Sequence, residues 1–366
     1  MNTSGKLRNF AQVTWAIAGK DISDAIKNKT ILANLITIML VVIFYRFLPA
    51  LEGQDALPAL MVYDRGQSSR AAQLEDSPAF RTYMATSAEE VPAFVGRADR
   101  ARLGIVLPPD LDQTLSAGQP LTIEGYVPHW ASRRQVEELR AFYEAELGAW
   151  AGQPVHIRTE GNVVYPQLEW GGLGFFTSLT LVLALTLTGI LTVTHLMLEE
   201  KQAQTLQALL VSPASIGQVV AGKALAGGFY CLVAAGGVLV LNSAMVAHWG
   251  LTILAAACGA MLSVALGLLL GSIFEVKQQL MLWSFLLLNV LLVPVFLEIE
   301  SDLLPQGFSA ALRWLPTVAL ARTLRLSFGH HVPWGAFAAN LGLVLAGAAI
   351  LYAAVGWRIR KMADSR

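Results

Sequence analysis

The chain has 366 residues, of which 55% are hydrophobic and only 14% are charged. Soluble domains carry about 25% charged residues, so this composition indicates an integral membrane protein. The 26 basic and 26 acidic residues cancel, which excludes the strongly basic surface that nucleic-acid binding requires. The two cysteines, Cys231 and Cys258, lie in apolar runs and indicate no disulfide framework.

The N-terminal segment, residues 1–30, is polar and mildly basic. Apolar residues recur in it at helical spacing from Phe10 to Ile26. This pattern predicts an amphipathic connecting helix along the cytoplasmic face of the membrane. The polar lead is too long for a signal peptide, and no small-residue cleavage site follows the first apolar run.

Six apolar segments are long enough to cross a bilayer, which takes about 20 residues. The predicted spans are residues 31–50, 173–197, 224–247, 251–273, 279–297 and 334–357. The tail, residues 358–366, is basic like the N-terminal segment. Because basic flanks stay in the cytoplasm, both termini are predicted to be cytoplasmic.

Residues 51–172, between the first two spans, are polar and punctuated by prolines. Short β-type runs and helical stretches alternate in them: strands at 59–64, 101–108 and 121–127, and helices at 88–97 and 132–150. The alternation predicts a compact α/β domain outside the cytoplasm. The predicted fold class is therefore a polytopic α-helical membrane protein with six transmembrane helices. An α/β extracytoplasmic domain is inserted between helices 1 and 2.

Residues 298–333 are too polar for a simple span and too apolar for a free loop. They predict two short re-entrant helices in the outer leaflet, broken at Pro316. Arg313, Arg322 and Arg325 then lie on the outer side, against the positive-inside tendency.

A polar interruption, residues 198–223, separates the second span from the third on the cytoplasmic side. A short amphipathic helix places Leu206, Leu209 and Leu210 on one face. Ser212-Pro213 ends that helix, and a new one is predicted to begin near Ser215. The pattern alone leaves two alternatives, an ordinary interfacial loop and a docking element for a partner protein.

Residues 217–223 have the spacing G-x-x-x-x-G-K of a phosphate-binding loop. Ala224 stands where that motif needs Ser or Thr, and a helical elbow stands where it needs a strand, so a nucleotide site is not predicted. The glycines are instead predicted to allow close packing. Lys223 is predicted to snorkel to the cytoplasmic interface.

The predicted fourth span contains a second glycine pattern, Gly267 and Gly271, with Gly259 two turns before. Small residues at this spacing permit two helices to approach closely. The partner helix could belong to the same chain or to a second copy.

The predicted spans have no charged side chain near their middle, which argues against an ion-coupled carrier. Asn242, Asn289 and Asn340 are predicted to join helices rather than to bind substrate. The chain shows no metal-ligand spacing.

The run E-E-K-x-x-x-T-L-x-x-L-L-x-S-P, residues 199–213, resembles a motif of the membrane subunit of ABC-2 type ABC transporters. The layout is similar to the bacterial drug or sodium export branch, which has a large extracytoplasmic domain between spans 1 and 2. The matching residues are Glu199, Glu200, Thr205, Leu209, Leu210, Ser212, Pro213, Gly222 and Lys223. Gln204 stands where the family usually has glycine. Lys20-Asp21, the VYD run at 62–64 and Pro316 resemble further features of that family.

The resemblance implies a division of labour in the plasma (inner) membrane. A separate ABC ATPase subunit binds ATP and Mg²⁺, and this chain is a non-enzymatic subunit without a cofactor of its own. It pairs with a second permease subunit, either an identical copy or a paralogue. The elbow is then the coupling helix, whose expected ATPase-coupling residues are Glu199, Glu200, Lys201, Thr205, Leu206, Leu209, Leu210, Ser212 and Pro213.

The expected function is efflux of a drug, a lipid-like molecule or another amphiphile, powered by the partner ATPase. Expected partners are that ATPase, the second permease subunit, the lipid membrane and a periplasmic adaptor, with no nucleic acid. The alternative is a membrane-anchored sensor or binding protein that uses its extracytoplasmic domain.

Overall fold

The computed structural model describes residues 3–27, 29–51, 57–98, 100–167, 171–202, 215–298 and 304–364. The chain divides into two compact units. The α/β unit comprises residues 46–176 and 328–330. The helical unit comprises residues 1–45, 177–327 and 331–366.

The described helices are α1 (Thr3–Lys27), α2 (Lys29–Leu51), α3 (Glu90–Gly96), α4 (Leu111–Ser116), α5 (Arg133–Ala151), α6 (Leu173–Gln202), α7 (Ile216–Leu241), α8 (Trp249–Ile273), α9 (Lys277–Leu297), α10 (Gln306–Leu312), α11 (Pro316–Phe328) and α12 (Trp334–Asp364). The described strands are β1 (Ala59–Asp64), β2 (Arg81–Met84), β3 (Leu103–Leu107), β4 (Leu121–Pro128), β5 (Val155–Arg158) and β6 (Val163–Val164).

The α/β unit is built on one mixed sheet with the strand order β2-β1-β3-β4-β5, and β6 pairs with β4. β1 runs parallel to both β2 and β3, whereas β3 and β4 are antiparallel. Every residue of β3 is buried, as expected for a central strand covered on both faces. The side chains of β4 instead alternate between buried and more exposed over most of its length, which indicates a strand with one covered face.

The helix α5 closes the core of this unit. Ser132 and Gln135 form a capping box at its beginning, and Gly152 ends it in the left-handed conformation, with φ of 70°. Its Tyr143 and Leu147 are buried in the hydrophobic core with the apolar side chains of β1, β3 and β4. The unit therefore has a core of its own.

The sequence patterns located the main elements of this unit but not all of them. Strands β1, β3 and β4 and helices α3 and α5 lie where they were predicted. The patterns missed β2, β5, β6 and α4, which have two to six residues each. Such short elements contain less than two turns of helix or a few strand residues, so their periodicity is weak.

The helical unit contains the candidate membrane spans. Five helices in the described residues are long and apolar enough to cross a bilayer: Leu173–Glu199, Gly217–Leu241, Trp249–Ile273, Lys277–Leu297 and Trp334–Lys361. The predicted first span, residues 31–50, coincides with α2, of which several side chains lie outside the described part. The count of six spans therefore stays a prediction.

Glycines bring α6 and α8 into backbone contact within this chain. A Cβ atom on Gly267 would lie 2.2 Å from the carbonyl oxygen of Gly189, and one on Gly189 would lie 2.6 Å from the backbone of Ser263. A Cβ atom on Gly271 would meet Met197 at 2.7 Å. The glycine pattern of the predicted fourth span therefore has its partner helix in the same chain.

The described residues after α9 form two short helices, as predicted, and α11 begins at Pro316. Their re-entrant position in the outer leaflet stays a prediction. α11 is buried on all sides: Val318, Leu320 and Leu324 are fully covered, and so are the polar residues Thr317 and Thr323. The Thr317 hydroxyl donates to the Leu291 carbonyl oxygen of α9 at 2.8 Å. This helix is therefore embedded in the helical unit.

Candidate coupling site

The predicted ATPase-coupling residues fall at the end of α6 and beyond it. Glu199, Glu200 and Lys201 form the last turns of α6. The others, Thr205, Leu206, Leu209, Leu210, Ser212 and Pro213, lie outside the described residues. The described residues on both sides of this segment show how it is attached.

Lys201 points back into the helical unit. Its Nζ donates to the carbonyl oxygens of Ser272 and Phe274, at 2.9 and 3.1 Å, at the C-terminal end of α8. A cation at this position satisfies carbonyls that have no partner in the helix. Burial lowers the pKa of Lys201, the attraction of Glu275 opposes this shift, and the repulsion of Arg358 adds to it. These contacts fix the end of α6 to the end of α8.

Glu199 lies on the other side of the same turn. Its Oε1 is 3.1 Å from Nε2 of His195, one turn earlier, and about half of its side chain is exposed. Lys201 therefore anchors the end of α6, while Glu199 remains accessible to a partner.

The far end of the predicted coupling segment is fixed by a helix cap. Ser215 accepts from the backbone N–H of Gln218, and the Gln218 side chain accepts from the backbone N–H of Ser215. This capping box begins α7 at Ile216, in agreement with the predicted restart near Ser215. The G-x-x-x-x-G-K spacing at 217–223 therefore lies within a helix and forms no phosphate-binding loop.

The first turns of α7 pack directly on α1. A Cβ atom on Gly222 would lie 2.7 Å from Cγ2 of Ile17 and 3.1 Å from the carbonyl oxygen of Thr14. About two helical turns further along α7, the Tyr230 hydroxyl donates to the carbonyl oxygen of Ile22 at 2.6 Å. Gly222 thus has the packing role that the sequence predicted for the glycines.

A buried ion pair completes this junction. Nζ of Lys223 lies 3.3 Å from Oδ2 of Asp21, and the two side chains are only 2% and 5% exposed. The predicted snorkelling of Lys223 is therefore wrong, because α1 covers the lysine and supplies its carboxylate. Sequence reasoning missed Asp21 and Tyr230 as partners, although Asp21 belongs to the Lys20-Asp21 pair of the amphipathic helix.

A second buried charge cluster joins α9 to α11. The Glu298 carboxylate accepts from Nη1 of Arg322 at 3.0 Å through Oε1, and from Nη2 of Arg325 through Oε2. All three side chains are largely buried. Arg322 and Arg325, which seemed misplaced by the positive-inside tendency, share a counter-ion that offsets part of their charge.

The predicted joining role of the asparagines is not what the structure shows. The amide nitrogens of Asn242, Asn289 and Asn340 each donate to the carbonyl oxygen four residues earlier, at Val238, Phe285 and Ala336. These bonds stay within one helix, so the side chains satisfy their own backbone rather than a neighbour.

The fold and the junction of α1 with α7 define a multi-pass helical membrane protein with a separate α/β unit. The chain belongs to the ABC-2 transporter family, because a family model described as ABC-2 family transporter protein matches residues 15–362. Comparisons with curated proteins and with solved structures gave no match.

Proposed function

We propose that this chain is the permease subunit of an ATP-driven ABC exporter. The family match over residues 15–362 carries the proposal, since it includes the α/β unit as well as the helical unit. In this proposal a separate ATPase subunit binds ATP and Mg²⁺, and a second permease subunit, identical or paralogous, completes the pathway. The chain lies in the plasma (inner) membrane with both termini in the cytoplasm and the α/β unit outside.

The contacts at the junction support a coupling role for residues 199–213. Lys201 fixes one end of this segment to α8, and the Ser215 cap begins α7 at the other end. Behind that cap, Lys223 and Asp21 tie α7 to α1. A displacement of the segment by a closing ATPase would therefore move α6, α7 and α1 rather than a free loop.

The distribution of charge supports an amphiphilic substrate over a bare cation. In the described candidate spans, the charged side chains lie within about two turns of an end. They are Glu199, Lys223, Lys277, Arg358, Arg360 and Lys361. A path for a dehydrated cation would need acidic or carbonyl ligands deeper in the membrane. We therefore propose efflux of a drug or a lipid-like molecule.

The test is co-purification of the tagged chain from native membranes in mild detergent. We expect an ATP-binding subunit in stoichiometric amount, released by Leu209→Glu because the charge enters the apolar docking face. Ala208→Glu is the matched control, since helical spacing places position 208 opposite Leu206, Leu209 and Leu210.

An equal loss of the ATPase in both variants, or in neither, would contradict docking through the leucine face. If intact wild-type protein brings down no ATPase, the exporter proposal itself fails. Function that persists without any ATPase would instead support the sensor alternative.

A further inference from the structure

An apolar cavity of about 960 Å³ opens in the helical unit between α1, α7, α8 and α12. Its walls include Trp15 of α1, Leu225 and Leu232 of α7 and Met261 of α8. Arg360, near the end of α12, is the one charged side chain among the described residues that line it. The cavity lies beside the junction described above but shares neither Lys223 nor Asp21.

Water is a poor occupant of such a space. A buried water needs two to four polar partners, and these walls are almost entirely aliphatic and aromatic. In a membrane, the apolar molecules that surround the protein are lipid acyl chains, and their burial against apolar walls is favourable.

The length of the cavity suits an acyl chain. Gly217 and Leu232 both line it, and the helical rise of about 1.5 Å per residue separates them by about 22 Å along α7. Half of the hydrocarbon core of a bilayer is about 15 Å thick. The cavity is therefore long enough to hold a complete acyl chain of a lipid from one leaflet.

The lining residues near the helix ends differ from the apolar walls. Gly217 lies in the first turn of α7, Arg360 lies in the last turns of α12, and Trp15 is 65% exposed. Tryptophan is typical of the lipid headgroup level. Arg358 and Lys361 lie within two residues of Arg360 in the sequence, and Arg360 forms no ion pair with any described side chain. A guanidinium at this level is a good partner for a phosphate group.

We propose that this cavity is a binding site for an anionic phospholipid, whose acyl chain fills the apolar groove and whose phosphate contacts Arg360. The lipid packs between α1 and α7. It therefore helps to hold α1 in place beside the proposed coupling segment. The proposal does not depend on the exporter function or on the substrate.

Two substitutions test the two halves of the site on the full-length protein. Gly228 lines the cavity, and a Cβ atom there would meet nothing within 4 Å, so Gly228→Phe is expected to extend its ring into the groove. Gly236→Phe is its control, because Gly236 lies on the same helix with equally open space but does not line the cavity. Arg360→Gln removes the cation, and Lys361→Gln removes a neighbouring charge outside the cavity.

The measurement is native mass spectrometry of protein released from nanodiscs of equal parts phosphatidylglycerol and phosphatidylcholine. We expect wild type, Gly236→Phe and Lys361→Gln to retain phosphatidylglycerol about fivefold over phosphatidylcholine, the effect of one cation on an anionic lipid. Arg360→Gln should keep a bound lipid but lose the preference, and Gly228→Phe should lose the lipid.

Three results would overturn the proposal. One is lipid retention in Gly228→Phe equal to that in Gly236→Phe. Another is an unchanged preference in Arg360→Gln. The third is wild-type protein that retains no lipid. If such lipid-free wild type is a dimer and Gly228→Phe is a monomer, a second copy of the chain occupies the groove instead of a lipid.

Discussion

At the scale of single residues, the buried charged side chains are the features with the clearest consequences for stability. Lys223 and Asp21 are 202 positions apart in the sequence and form an ion pair in the interior. A buried pair adds little net stability compared with apolar residues of the same size, but removal of one partner leaves an uncompensated charge. The stability of the α1–α7 junction should therefore depend on both residues together.

We expect Asp21→Leu to destabilise the protein by about 3–5 kcal/mol, because the ammonium of Lys223 stays buried without its carboxylate. Thermal unfolding in detergent, followed by tryptophan fluorescence, measures this effect. Asp24→Leu is the matched control, since Asp24 is exposed on the same helix. The double variant Asp21→Leu with Lys223→Met should recover most of the loss. Equal melting of Asp21→Leu and Asp24→Leu would show that the pair is unimportant.

Glu298 offers a second prediction at this scale. Glu298→Gln removes the shared counter-ion of Arg322 and Arg325, so we expect a loss of about 3–5 kcal/mol and a loosened α11. Hydrogen exchange of the α11 amides in detergent measures the loosening directly. Glu275→Gln, at an exposed carboxylate, is the control. Unchanged protection of α11 in Glu298→Gln would argue against the role of this cluster.

At the scale of elements, the contact of α6 with α8 depends on the absence of side chains. Because the two backbones touch at Gly189 and Gly267, an added methyl group must push the helices apart. Overpacking of this kind typically costs about 1–3 kcal/mol.

Gly267→Ala should therefore lower the melting temperature, although alanine is the better helix former. Gly250→Ala is the matched control on α8, because a Cβ atom there meets nothing within 4 Å. That control should leave the melting temperature unchanged or raise it slightly. If Gly267→Ala melts at the wild-type temperature or above it, the close contact between α6 and α8 is disproved.

At the scale of the whole molecule, the α/β unit should fold without the helical unit. Its core draws on strands and helices of the α/β unit alone, including Leu60, Ile105, Ile123 and Tyr143. We expect a soluble fragment of residues 57–167 to unfold in one cooperative transition, as small domains usually do. Circular dichroism during heating measures it. Ile105→Asp should abolish the transition, whereas Thr122→Asp, at an exposed position of β4, should preserve it.

A fragment that is unfolded or aggregated from the start would contradict this independence. A cooperative fragment would show that the unit needs no contact with the spans for its stability. It would also permit ligand screening, which the sensor alternative requires.

Local patterns in the sequence were sufficient to predict many of the helices and strands of this protein. Apolar runs predicted the five candidate spans of the described residues, and short β-type runs predicted the strands β1, β3 and β4. Pro316 marked the beginning of α11, and the polar residues after span two predicted a new helix near Ser215. These features depend on neighbours within one or two turns, so their physical cause is present in the sequence itself.

Only the tertiary structure decided which distant groups are partners. It replaced the predicted snorkelling of Lys223 with burial against Asp21, gave Arg322 and Arg325 a common carboxylate, and placed the partner of Gly267 within the same chain. A periodic pattern shows which face of a helix is apolar or small, but not which helix covers it. That choice depends on packing between segments far apart in the chain, and no local periodicity records it.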